Sequence, residues 1–207
     1  MLHRKLWDDN QKKAKACLQH PFVVGLGSGS LPMDAFKRYV AQDAFFLQAF
    51  LQAYAVCAAK CESLEHIKAF HGYMGGALDE LNLHAQYAET LGLDLSNVVP
   101  YRATSAYTEF LLRTAWHEPI SVTIAAMVPC MRLYAYLGAE LLHQSHPNHP
   151  YHQWIETYSS DEFQALANDI ETLLDVIGQD TPSVRQAYQY AMQCEYDFFS
   201  APLEEPK

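Results

Sequence analysis

The chain has 207 residues with a formal net charge of -10, half of them hydrophobic and 18% charged. A length in this range buries a core of its own without disulfide or metal staples, so one domain over residues 1–207 is expected. Charged residues punctuate the long apolar stretches, which argues against a membrane partner, and the lysines and arginines are scattered rather than gathered, which argues against nucleic acid.

The N-terminus, Met1 to Asp9, carries basic residues with no apolar segment behind them and no small-residue cleavage site, so a secretory leader is not expected and the setting reads as cytoplasmic. Helical periodicity dominates, and no series of alternating β-branched runs accumulates as a sheet requires. The expected class is all-α, with seven or eight helices. The first runs from Leu2 to Leu18 and stops near Pro21. Gly25-Leu26-Gly27-Ser28-Gly29-Ser30 reads as a flexible connector ending in the N-cap Ser30, since no strand precedes it to make a dinucleotide fingerprint.

A second helix opens at Leu31-Pro32 and continues to about Lys60. On it Tyr39, Asp43, Phe46 and Phe50 fall at steps of four, three and four, so one face carries a carboxylate flanked by aromatic rings. Burying an unpaired Asp43 is costly, so a basic partner or a ligand should meet it. The alternative is that Asp43 caps a neighbouring helix or pairs with an arginine.

Further helices are expected over Ser63–Leu91, Ser105–Trp116 and Ile120–His143. Inside the last of these Pro129 forfeits a backbone hydrogen bond at a cost of ~3 kcal/mol, which predicts a kink. Cys130 sits at that point, with Tyr134 one turn on. Taken alone, a buried cysteine is more often inert packing than a nucleophile. Glu140-Leu141-Leu142-His143 is the one Glu-x-x-His motif where a di-iron bundle commonly uses two, so no metal is expected, and the histidines from His143 to His152 read as an exposed, proline-broken loop.

Helices over Pro150–Tyr158, Ser160–Ile177 and Pro182–Ser200 complete the set, with Ser160 and Thr181 as N-terminal signals. The last presents Tyr188, Glu195 and Phe199 at steps of seven and four, again one acid on an aromatic face; a solvated glutamate near a helix end is the alternative. The tail from Pro202 to Lys207 is expected to fray. Five cysteines, at 17, 57, 61, 130 and 194, make no CxxC spacing and suit a reducing compartment.

Five stretches, taken together, resemble the TenA (thiaminase II) family in order and spacing over nearly the whole chain. They are Arg38 through Asp43 to Leu47, Ala106-Tyr107-Thr108-Glu109-Phe110, Pro129-Cys130 through Tyr134 and Gly138, His149-Pro150 through Trp154 and Tyr158, and Glu195-Tyr196-Asp197-Phe198-Phe199. The resemblance implies a heme-oxygenase-like helical bundle without heme or other cofactor, assembled as a homotetramer. It implies an aminopyrimidine aminohydrolase that converts 4-amino-5-aminomethyl-2-methylpyrimidine to the hydroxymethyl compound in thiamine salvage, with thiamine cleavage as a related activity. Carried over, Cys130 matches the nucleophile, Glu195 the catalytic acid, and Asp43 and Tyr134 the substrate-binding pair, while Tyr107 and Tyr158 match aromatic pocket positions. Phe46 departs from a tyrosine frequent among relatives, which removes one pocket hydroxyl.

An amine on an exocyclic methylene leaves poorly, so covalent addition of a cysteine to the ring, with a carboxyl group moving protons, is the chemistry such residues would supply. A metal-dependent oxidase or a non-catalytic small-molecule binder of the same fold is the competing expectation.

Overall fold

Helix α1 (Leu2–Leu18) leads into α2 (Pro21–Ser28), α3 (Met33–Lys60), α4 (Leu64–Leu91) and α5 (Arg102–His117). Then come α6 (Ile120–Leu142), α7 (His152–Ser159), α8 (Asp161–Ile177) and α9 (Pro182–Ser200), followed by a 3-10 turn at Ala201–Leu203. This computed structural model describes residues 1–143 and 149–204, and among them are nine α-helices and no strand.

The class is all-α as expected, with one helix more than seven or eight. The addition is α2, in the stretch expected to be a flexible connector. Pro21 stands in its first turn, the His20 ring accepts a hydrogen bond from the Phe22 N–H, and Gly29 ends it at φ +74. Phe22, Val23 and Leu26 are fully buried. Apolar burial and good caps at both ends thus outweigh the ~1 kcal/mol that each internal glycine costs a helix. Ser30 is not the cap of α3: its hydroxyl pairs with Ser28 Oγ, and Pro32 occupies the cap position. Ser160 and Thr181 do cap α8 and α9, accepting from the N–H groups of Phe163 and Val184.

α3 lies along α4 and α5, whereas α6 packs on α7, α8 and α9, and α1 covers α9 and α8. α5 touches both α6 and α9 and so joins the two sets. By length and composition alone α6 could cross a membrane. Its Ile124, Ala125, Met127, Val128 and Leu133 are fully enclosed by the other helices, and a helix buried on all sides needs that composition.

α6 stays helical through the buried Pro129, directly before Cys130. Arg132 points away from Cys130 toward α8, where its Nε lies 3.2 Å from Glu171 Oε1 and its Nη2 donates to Asn168 Oδ1. Gln42 ties α3 to the segment leading into α5: its carbonyl oxygen accepts from Tyr101 N–H and Thr104 Oγ1, and its amide donates to Val99 O. The start of the tail is anchored: Pro202 is buried and its carbonyl accepts from Arg38 Nε at 2.8 Å. Residues 205–207 lie outside the described residues.

Gly138 lets α6 and α7 touch backbone to backbone. A Cβ there would stand 2.4 Å from the carbonyl carbon of Tyr158 and 2.6 Å from Ser159 N. Gly138→Ala must therefore push the end of α7 outward and carry Tyr158 with it. The expected cost is about 1–3 kcal/mol, read as a Tm several degrees lower; an unchanged Tm would show that α7 shifts freely.

Candidate active site

Asp43 of α3 is buried, and its Oδ2 lies 2.7 Å from Nε2 of His84 on α4. The other ring nitrogen, Nδ1, lies 2.9 Å from the Glu80 carbonyl oxygen. A carboxylate and a carbonyl only accept, so the imidazolium, which donates from both nitrogens, is the form that satisfies both bonds. Burial opposes that charge, but Asp43 beside it prevails and lifts the His84 pKa to about 9. A basic partner meets Asp43 as its burial demanded, and it is a histidine rather than an arginine.

Glu80, one turn before His84, accepts a short hydrogen bond from the Tyr158 hydroxyl. Burial and then Asp43 push its carboxyl up to about 7, while His84 and Tyr158 hold it back. Neither Glu80 nor His84 was singled out from the sequence. Asp43 signalled that it needs a partner, but the chain holds ten histidines and no pattern says which one folds across to it.

Trp154 Nε1 donates to the Tyr39 hydroxyl at 3.2 Å, and Tyr39 donates to the Tyr134 hydroxyl at 3.4 Å. Indole N–H cannot accept, so the direction of this chain is fixed and the Tyr134 O–H remains available as a donor. Tyr134 stacks edge-on against Tyr158 with centroids 4.8 Å apart, and Trp154 backs both rings. Tyr39 and Trp154 lay within recognised stretches, but their part in aiming Tyr134 became visible only in three dimensions.

On the opposite side Tyr107 of α5 donates to Glu195 Oε1 of α9 at 2.7 Å, and the Cys130 thiol of α6 hydrogen bonds to the same carboxyl. Glu195 is only 1% exposed, so the solvated-glutamate alternative does not hold. Burial, reinforced by Asp43, raises its pKa to about 8 against the restraint of the Tyr107 and Cys130 bonds. Burial also pushes the Cys130 thiol well above its ordinary range, and Glu195, Glu80 and Asp43 add to that effect. The resting pair at neutral pH is therefore a thiol beside a carboxylic acid. Phe46 is buried with its ring 4.8 Å from Tyr107 and 5.7 Å from Phe198, an apolar wall with no hydroxyl.

The structure thus brings together Asp43, Phe46, Tyr107, Cys130, Tyr134, Tyr158 and Glu195 from five helices. Tyr188 does not join them, although it shares a helix face with Glu195; it is buried toward Glu171 and Arg132. Open grooves between α1 and α9 and between α5 and α9 contain none of the seven. Among the described residues no group of three His, Cys, Asp or Glu side chains is arranged to hold a metal ion. Of the stretch from His143 to His152, positions 144–148 lie outside the described residues.

The sequence matches the TENA/THI-4/PQQC family over residues 7–205. It is 36% identical to the bifunctional TH2 protein, mitochondrial, of Arabidopsis thaliana, over 98% of this chain but 37% of that protein. The chain therefore spans little more than a third of the plant relative's length. It is 32% identical to the aminopyrimidine aminohydrolase of Halalkalibacterium halodurans, over 82% of this chain and 79% of the relative. A crystal structure of a TenA family transcription regulator from a Silicibacter species superposes with a TM-score of 0.91 at 28% identity, covering 98% of this chain and 96% of that one. With the fold shared end to end and the match running through every helix that supplies the site, the chain belongs to the TENA/THI-4/PQQC family.

Proposed function

We propose that this chain is an aminopyrimidine aminohydrolase of the thiaminase II type, acting on 4-amino-5-aminomethyl-2-methylpyrimidine in thiamine salvage and also cleaving thiamine. The observation that carries the reading is the Tyr107–Glu195–Cys130 line, with Cys130 half-buried, beside an Asp43 paired with His84. A thiol, a proton-carrying carboxyl, one fixed acceptor and one fixed donor among aromatic walls are what a flat aminopyrimidine would meet. The resemblance further supports a homotetramer, and five free cysteines suit a reducing compartment.

In the proposed reaction the Glu195 carboxylate takes the Cys130 proton as Sγ bonds to the ring carbon next to the one bearing the aminomethyl group. That proton then passes to the adjacent ring nitrogen. With aromaticity lost, the lone pair of the 4-amino nitrogen pushes through the ring and expels the protonated amine as ammonia, leaving an exocyclic methylene. Asp43 accepts from the 4-amino group and stabilises the positive charge that grows there. Water adds to the methylene, its proton going to Glu195; the ring regains aromaticity as its nitrogen gives up its proton and Cys130 leaves as the thiol, and Glu195 returns to the carboxylate by passing its proton to the departing ammonia. The sum is amine plus water to alcohol plus ammonia, with no outside oxidant.

Incubating the protein with the aminopyrimidine, its formylated form and thiamine, with and without a chelator, tests this by chromatography. The expected result is conversion of the aminopyrimidine to the hydroxymethyl product with equimolar ammonia, unchanged by chelation. Failure to turn over any of the three would overturn the reading, and activity lost with a tightly bound metal would favour the oxidase.

A further inference from the structure

We infer that His84 is a specificity-determining positioning residue: it pins Asp43 Oδ2 and keeps Asp43 a pure acceptor, so the pocket takes a pyrimidine with an amino group at that edge and rejects the oxo counterpart. The inference rests on the proposed pyrimidine site and adds a residue to it.

Asp43 receives a single hydrogen bond among the described residues, from His84 to Oδ2, which leaves Oδ1 for a ligand. Oδ2 is held at 2.7 Å by a ring that is itself held at its other nitrogen by the Glu80 carbonyl, so the carboxylate has a fixed orientation. A 4-amino group donates an N–H to Oδ1. A 4-oxo group presents a lone pair there instead, and its ring N–H lies one position away, where a pinned carboxylate does not reach. The donor at the other end of the pocket, Tyr134, is fixed by Trp154 and Tyr39, so the ring gains nothing by turning over.

His84 also supplies the charge that faces Asp43. The titratable groups around the pair are Tyr39 on α3, Glu80 and Tyr87 on α4, Cys130 and Tyr134 on α6, Tyr158 on α7 and Glu195 on α9. None of them is a cation, so among the described residues His84 is the sole positive charge in the cluster. Without it, a carboxylate 4% exposed loses both its counter-charge and its fixed orientation, and the preference for an amino edge weakens. This use of a buried ion pair is for polarity rather than for stability.

The test is binding of 4-amino-5-hydroxymethyl-2-methylpyrimidine and its 4-oxo counterpart to the full chain and to His84→Gln, by calorimetry from pH 6 to 8. The wild type is expected to prefer the amino ligand by on the order of 10³. In His84→Gln the ratio should fall at least about ten-fold, because Asp43 Oδ1 is no longer held toward the amino edge. A variant that weakens both ligands equally, with a flat ratio, would make His84 a packing residue only and overturn the inference. Should His84→Gln not fold, ¹⁵N-histidine spectra of the wild type decide the matter: a doubly protonated His84 ring at pH 7.5 is expected, and a neutral tautomer overturns it. If the wild type binds neither pyrimidine, the proposed function itself fails, an outcome separate from these.

Discussion

Cys130→Ser is expected to lower kcat/KM for the aminopyrimidine by at least about 10³, equivalent to about 4 kcal/mol of transition-state stabilisation, while substrate affinity and Tm change little. Serine is close to cysteine in volume and can keep the hydrogen bond to Glu195, so the packing around α6 is retained. It loses nucleophilicity, and the covalent route closes. The raised thiol pKa does not weaken the assignment. A standing thiolate is unfavourable beside Glu195, Glu80 and Asp43, so the nucleophile has to form as its proton moves to Glu195. Alkylation of the free enzyme should accordingly be slow at neutral pH and faster as pH rises. Cys17, Cys57 and Cys194 are buried, with pKa values pushed up to about 12 by burial, and replacing any of them should leave turnover intact. Near-normal rates in Cys130→Ser, with inactivation traced to another cysteine, would reject Cys130 as the nucleophile.

The sequence displayed the long helices because their periodicity, their proline and serine starts and their glycine stops agree with one another. It concealed α2, where glycine and serine suggest a loop and only the burial of Phe22, Val23 and Leu26 decides otherwise. The site divides in the same way. Asp43 and Glu195 were visible as acids on aromatic faces, and the five-segment resemblance supplied Cys130 and the tyrosines. His84 and Glu80 were hidden, and so was the part played by Tyr39, since each acts through a contact between helices far apart in sequence. His84 lies 41 positions from Asp43, and Trp154 lies 115 positions from Tyr39. Helical periodicity reports which face turns inward; it carries no information about which inward residue meets which.

Glu195→Gln should separate chemistry from stability. Glutamine keeps the shape and can still accept from Tyr107, but it carries no titrating proton, so kcat should fall by on the order of 10² or more with little change in KM. The wild-type rate should itself climb as pH approaches about 8, where Glu195 begins to stand as the carboxylate that accepts the thiol proton. That limb should vanish in the variant. Stability moves the other way. The folded-state pKa of about 8 lies above the ordinary 4.5, so between those values folding takes up a proton, and native stability declines as pH rises through the window. Glutamine has no such penalty. The variant should match the wild type near pH 4.5 and then become progressively more stable, by on the order of a few kcal/mol at pH 8, a gain in Tm that accompanies the loss of turnover. Thermal melts of both proteins from pH 4.5 to 8 would read this directly. Equal Tm values across that range would mean that Glu195 is ionised in the folded protein, and a rate that climbs toward pH 8 would then have to be assigned to another group.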